Sequence, residues 1–129
     1  MSFLVEVGAG TLRAADGVDL PHRWTSEGVR VRAEFTGAHL LHLATAGCVL
    51  NDLYREAEPL GVVLDGVRVT AEGGFDESWS STGIAYRVEL DTAASEADRA
   101  RLLARVDEVA EIPRALRAGA PVTRESAAP

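Results

Sequence analysis

The chain contains no lysine; all 13 of its basic residues are arginine. That absence excludes a Schiff-base lysine and a P-loop lysine, and with them lysine covalent catalysis and Walker-type nucleotide binding. Cysteine occurs once, at Cys48, so no disulfide framework can form within the chain. No apolar run approaches the ~18–20 residues of a membrane span. The opening Met1-Ser2-Phe3-Leu4-Val5-Glu6 lacks the basic region and sustained apolar stretch of a secretory leader, so a cytoplasmic protein is expected. Basic charge is in deficit, 13 residues against 20 acidic ones, for a net charge of −7. A nucleic acid or an anionic membrane surface is therefore not an expected partner. Gly-x-Ser-x-Gly, Cys-x-x-Cys and His-Glu-x-x-His spacings are missing too, and the glycine pairs lack phosphate-loop spacing. No cofactor or metal is expected.

What is present suits one globular domain. The 129 residues are 47% hydrophobic, enough to bury a core and too apolar for a disordered chain. The expected domain covers residues 1–122, followed by a loose tail at 123–129. Phe3-Leu4-Val5-Glu6-Val7 reads as a strand ended by Gly8-Ala9-Gly10, and Asp16-Gly17 as a hairpin turn. Residues 29–35 alternate apolar and charged side chains, the period of a strand with one wet face. From Ala38 to Glu58 there is no proline and much Ala and Leu, which predicts one long helix stopped by Pro59 and Gly61. Its first half is apolar on nearly all sides, so it belongs inside the fold.

Two more strands are expected, one from Val62-Val63-Leu64 through Asp65-Gly66 to Ala71 and broken at Gly73-Gly74, the other over residues 84–91. They pair antiparallel. Ser95 with Asp98 then opens a helix with apolar residues at 102, 103, 106 and 109, and Pro113 takes the first position of a short last helix. The sum is an α+β fold: N-terminal strands, a long buried central helix, an antiparallel strand pair and a C-terminal helix. One small sheet and one amphipathic helix cover that central helix poorly. A second copy would complete the cover, so a homodimer is expected.

Cys48 is the residue with the most chemistry to offer. A lone buried cysteine is ordinarily a small hydrophobe; as a nucleophile it needs a nearby cation or hydrogen-bond donors to hold its thiolate. Asn51 and Asp52 share its helical face, and Asp52 raises a thiol pKa instead of lowering it. His39 and His42 share another face of the helix and, with His22 or a carboxylate as third ligand, suggest a zinc site only weakly. Trp24, Trp79 and Tyr86 are aromatics available to a pocket.

Leu40-Leu41, Ala44, Ala46-Gly47-Cys48 and Arg55-Glu56-Ala57 together resemble the central helix of the OsmC/Ohr family. Val67-Arg68-Val69, residues 86–90, the helix from Ser95 and the closing Leu116-Arg117-Ala118-Gly119-Ala120-Pro121-Val122 are similar to the rest of that fold, over about residues 29–122. The resemblance implies an intertwined homodimer in which a helix-borne thiolate reduces an organic hydroperoxide, Cys48 standing at the attacking position. It implies a helper arginine from the N-terminal strands, with Arg13, Arg23 and Arg30 as the choices. The resolving cysteine of the family corresponds to Ala110 and its glutamate to Ala38. The expected function is accordingly a one-cysteine thiol peroxidase recycled by an external thiol reductant, with Cys48, Arg13 and Arg30 as its residues. The alternative is a non-catalytic dimer that binds a small apolar or acyl ligand at its interface.

Overall fold

The computed structural model describes residues 2–126. Its elements are β1 (Val5–Gly10), β2 (Val18–Leu20), β3 (Val29–Arg32), α1 (Gly37–Ala57), β4 (Gly66–Phe75), β5 (Ser81–Asp91), α2 (Glu96–Val109) and α3 (Glu111–Ala118). The strands form one antiparallel sheet in the order β2-β3-β1-β4-β5. The helix α1 lies across β1 and β4, and α2 and α3 pack on α1.

Alternation in the strands sets the core. Val5, Val7 and Ala9 face inward from β1, opposite Ala71, Val69 and Val67 of β4, with Val29 and Val31 of β3 beside them. These meet Ala46, Val49, Leu50 and Leu53 of α1, and Leu102 and Val106 of α2 close the other side. A helix with sheet below it and helices above it must be apolar on two faces, which explains its unusual composition. The starts of α1 and α2 are capped: Thr36 Oγ1 accepts from the His39 N–H at 3.1 Å, and Ser95 Oγ, as the sequence indicates, accepts from the Asp98 N–H at 3.2 Å. Ser95→Ala should cost about 1 kcal/mol, the usual worth of such a cap, read as a lowered denaturation midpoint.

Several boundaries differ from the expected ones. β1 runs through Gly8-Ala9-Gly10, because its ladder with β4 continues to Gly10 opposite Gly66. Gly10 has φ +61, and a Cβ there would stand 2.2 Å from the Asp65 carbonyl oxygen, so only glycine makes that turn. Asp16-Gly17 is not a hairpin turn: β1 and β2 do not pair, and β2 folds back on β3 instead. β3 stops at Arg32, and Phe35 stands in solvent. Val62-Val63-Leu64 is not strand, and β4 opens only at Gly66. Gly73-Gly74 does not break β4, since cross-strand pairing with β5 holds Gly73 opposite Ile84 and carries the strand to Phe75. Pro113 is the third residue of α3 and not the first, still within the turn whose N–H groups need no helical partner. Residues 123–126 have no secondary structure, and the rest of the expected tail lies outside the described residues. No described helix is long and apolar enough to cross a membrane.

Candidate active site

Cys48 lies midway along α1, half-buried, where the first turn of α3 crosses the helix. The order of α2 and α3 creates that crossing. Ala110 ends α2, is itself 1% exposed, and starts α3, so the next two residues are set down on the sulfur. The Ile112 N–H, one of the free donors of a helix start, donates to Cys48 Sγ at 3.5 Å. The thiol has two acceptors, Glu111 Oε2 at 3.5 Å and Asp52 Oδ2 at 4.0 Å. Arg55 binds both carboxylates, Nη1 to Glu111 Oε1 at 2.8 Å and Nη2 to Asp52 Oδ1 at 3.2 Å. Its Nε reaches Glu56 at 3.1 Å, and Glu56 is also held by Arg105 of α2 at 3.1 Å.

The electrostatics follow from this placement. Burial pushes the Cys48 thiol up, and Asp52 and Glu111 push it further, against the pull of the Ile112 N–H. Burial likewise raises Asp52, to about 6, with Glu111 adding to the shift and Arg55 opposing it. The Arg55 guanidinium holds Glu111 down at about 2. So one carboxylate beside the sulfur is firmly anionic, while the other gains and loses a proton near neutrality.

Opposite shifts give opposite pH dependences. Asp52 is raised above its unfolded value of ~3.9, so its contribution to stability is fully present below that value and lost as pH rises through about 6. Glu111 is lowered, so its contribution is present above its unfolded ~4.3 and lost as pH falls towards about 2. Melting curves at pH 4.5 and 7.5 should show the wild-type protein losing stability relative to Asp52→Asn as pH rises. A difference that stays constant across that interval would contradict the buried carboxylate's role.

Arg55 is the guanidinium of this cluster, and it comes from α1 itself and not from the N-terminal strands, where the resemblance puts the helper arginine. Its i+3 spacing from Asp52, itself i+4 from Cys48, was the available signal. Arg13 and Arg30 are not brought to Cys48 within the protomer. Both bind Asp19, at 2.9 and 2.7 Å, and Arg30 also donates to the Ala14 and Ala15 carbonyls. Asp19 is held at about 2 by Arg30 first and Arg13 second. Arg23 lies over the Trp24 ring. Glu111 was missed altogether, since a contact across 63 positions has no local signature.

The histidines do not assemble. His39 binds Thr36 and Glu34, His42 Nδ1 meets the Ala38 carbonyl oxygen, and His22 joins Thr25 and Asn51. Among the described residues, the donor atoms that converge are those of Cys48, Asp52 and Glu111, without a histidine, and Arg55 already supplies the positive charge between the two carboxylates. We assign no metal there.

One turn before Cys48, on the same face of α1, Thr45 and Leu41 line a cleft of about 260 Å³. Ile84 and Tyr86 of β5 and Pro113 and Leu116 of α3 line its other walls, and Arg117 stands at it. Of the three aromatics read from the sequence, Tyr86 lines this cleft, Trp24 packs near His22, and Trp79 is 75% exposed.

Comparison with known proteins agrees with the geometry. The family model for OsmC-like protein matches residues 30–125. A crystal structure of an OsmC-like hydroperoxide resistance protein from Jannaschia sp. CCS1 superposes with a TM-score of 0.57 at 13% identity, covering 96% of this chain and 91% of that one. None of the curated proteins matches the chain.

Proposed function

The chain belongs to the OsmC-like protein family, and from that premise we propose that it is a thiol-dependent peroxidase reducing organic hydroperoxides through Cys48. The observation that carries this reading is the placement of Cys48. Its sulfur is the one thiol of the chain, half-buried one helical turn from Thr45 in the wall of an apolar cleft, and it receives the Ile112 N–H with Arg55 one carboxylate away. Thiol, thiolate-supporting donor and apolar substrate surface are the three parts such a reaction needs.

In the reaction, sulfur attacks the outer oxygen of RO–OH. The O–O bond breaks, ROH leaves, and Cys48 becomes a sulfenic acid. An external thiol then condenses with it, releasing water and leaving a mixed disulfide. A second thiol attacks the disulfide, which returns Cys48 and releases the oxidised reductant. The chain has no second cysteine to resolve the sulfenic acid, which motivates the external thiol. The working form is a homodimer in the cytoplasm. The half-buried stripe of Ile84, Tyr86, Val88 and Leu90 on the edge strand β5 supports the second copy, and sedimentation as a protomer at micromolar concentration would remove that part.

The test is direct. Reduced protein given one equivalent of cumene hydroperoxide should yield a dimedone adduct on Cys48 by peptide mass, and dithiothreitol should sustain turnover. No adduct and no turnover would overturn the reading.

One feature favours a second reading, a binding protein without catalysis. Burial and the two carboxylates at the thiol push its pKa up, while the cleft one turn along the helix is open to an apolar ligand. Native mass spectrometry and thermal shifts with fatty acids would then find a ligand in a protein inert to peroxide.

A further inference from the structure

We propose that Asp52 is the proton-transfer residue of the Cys48 site, taking the thiol proton as sulfur attacks the hydroperoxide and delivering it to the departing alkoxide. The inference rests on the peroxidase reading and adds a residue to it. Attack by a neutral thiol leaves one proton to remove from sulfur and one to supply to RO⁻. A single group that does both keeps atoms and charge balanced: Cys–SH and RO–OH become Cys–SOH and ROH, with the carboxylate restored.

Two carboxylates stand at the sulfur, and their surroundings separate their roles. Glu111 is nearer, at 3.5 Å, yet its side chain is 58% exposed and tied to Arg55 at 2.8 Å. Bound this way it is a strong anion and a weak base. Asp52 is one helical turn from Cys48, with its side chain 3% exposed. Arg55 binds Asp52 Oδ1 at 3.2 Å, which leaves Oδ2 facing the sulfur at 4.0 Å. That separation is longer than a working proton-transfer contact, as is usual before substrate closes a site. The groups that face Asp52 are Cys48, Arg55 and Glu56 from α1 and Glu111 from α3, with Arg105 of α2 neutralising Glu56. Their balance puts its titration near 6, where a carboxylate both accepts and returns a proton at physiological pH. Glu111 and Arg55 then have a supporting role: Arg55 keeps Asp52 from rising higher, and Glu111 holds Arg55 in place at 2.8 Å.

Two reactions of the same sulfur test the proposal. Peroxide oxidation needs a proton delivered to the leaving group, whereas alkylation by iodoacetamide expels iodide and does not. Asp52→Asn should slow sulfenic acid formation from cumene hydroperoxide about 100-fold, within the range for loss of an acid–base group. Its iodoacetamide rate at pH 7 should hold or rise, because a negative charge has left the sulfur. The wild-type oxidation rate should level off above about pH 6, whereas the Asp52→Asn rate should keep climbing with the thiolate. Asp52→Glu, which keeps a carboxylate at altered reach, should recover part of the oxidation rate, and it carries the same comparison if Asp52→Asn does not fold. Equal oxidation rates in wild type and Asp52→Asn, or oxidation and alkylation falling together, would overturn the proposal while leaving the peroxidase reading standing. A wild-type protein that alkylates normally and never oxidises would overturn that reading and this inference with it.

Discussion

Cys48→Ser is expected to abolish hydroperoxide consumption, by about a thousandfold or more, while leaving the fold in place. The reaction needs a polarisable nucleophile on sulfur, and a serine hydroxyl at the same point is a far poorer one towards an O–O bond. No second thiol exists in the chain to take over. The fold should survive because the side chain is half-buried and its polar contacts are with groups that a hydroxyl also satisfies. Serine can accept the Ile112 N–H and donate to Glu111. The melting temperature should therefore stay close to that of wild type while peroxide consumption with dithiothreitol drops to background. Cys48→Ala separates the contributions further, since it removes the acceptor for Ile112 as well and should loosen the start of α3. Undiminished consumption in Cys48→Ser would show that the chemistry is elsewhere or absent.

The second large effect is structural. Gly73→Ala should destabilise the protein by about 3 kcal/mol, the upper end of the usual range for overpacking, a large share of the 5–15 kcal/mol that holds a typical domain together. A Cβ at Gly73 would stand 2.2 Å from the Gly83 carbonyl oxygen and 2.6 Å from His42 Nε2. Neither neighbour yields easily. Gly83 belongs to β5, at the register shift between the Gly73–Ile84 and Phe75–Ser81 pairs that hold it against β4 from both sides. His42 is 0% exposed, its Nδ1 is fixed by the Ala38 carbonyl oxygen at 2.6 Å, and its ring lies among those of Phe3 and Phe75. The imidazole thus fills the space that a side chain at 73 would take. Adding His42→Ala to Gly73→Ala should recover only part of the loss, because the carbonyl clash remains. Chemical denaturation of the two variants decides it, and a midpoint for Gly73→Ala equal to wild type would contradict the packing described.

These two residues mark where sequence reading succeeds and where it stops. The long helix, the Ser95 cap, the alternating strands and the place of Cys48 on that helix are legible because each depends on neighbours within a few positions. The strand that runs through Gly73 is not, because glycine breaks a strand read in isolation. Here the ladder with β5 and the ring of His42 make glycine the residue that fits. The pairing of β1 with β3 and β4, and not with β2, is hidden for the same reason.

By itself, the sequence determined an acidic α+β domain with one thiol on a buried helix, since composition, periodicity and capping are local and additive along the chain. Only the tertiary structure decided what surrounds that thiol. The guanidinium tied to the two carboxylates at the sulfur is Arg55, from the helix itself, while Arg13 and Arg30 bind Asp19. Glu111 and the Ile112 N–H arrive from more than sixty positions away because α2 returns the chain across α1. Whether a cysteine is inert or reactive is a matter of the charges and donors within a few ångströms of its sulfur, and those are set by folding and not by adjacency in the chain.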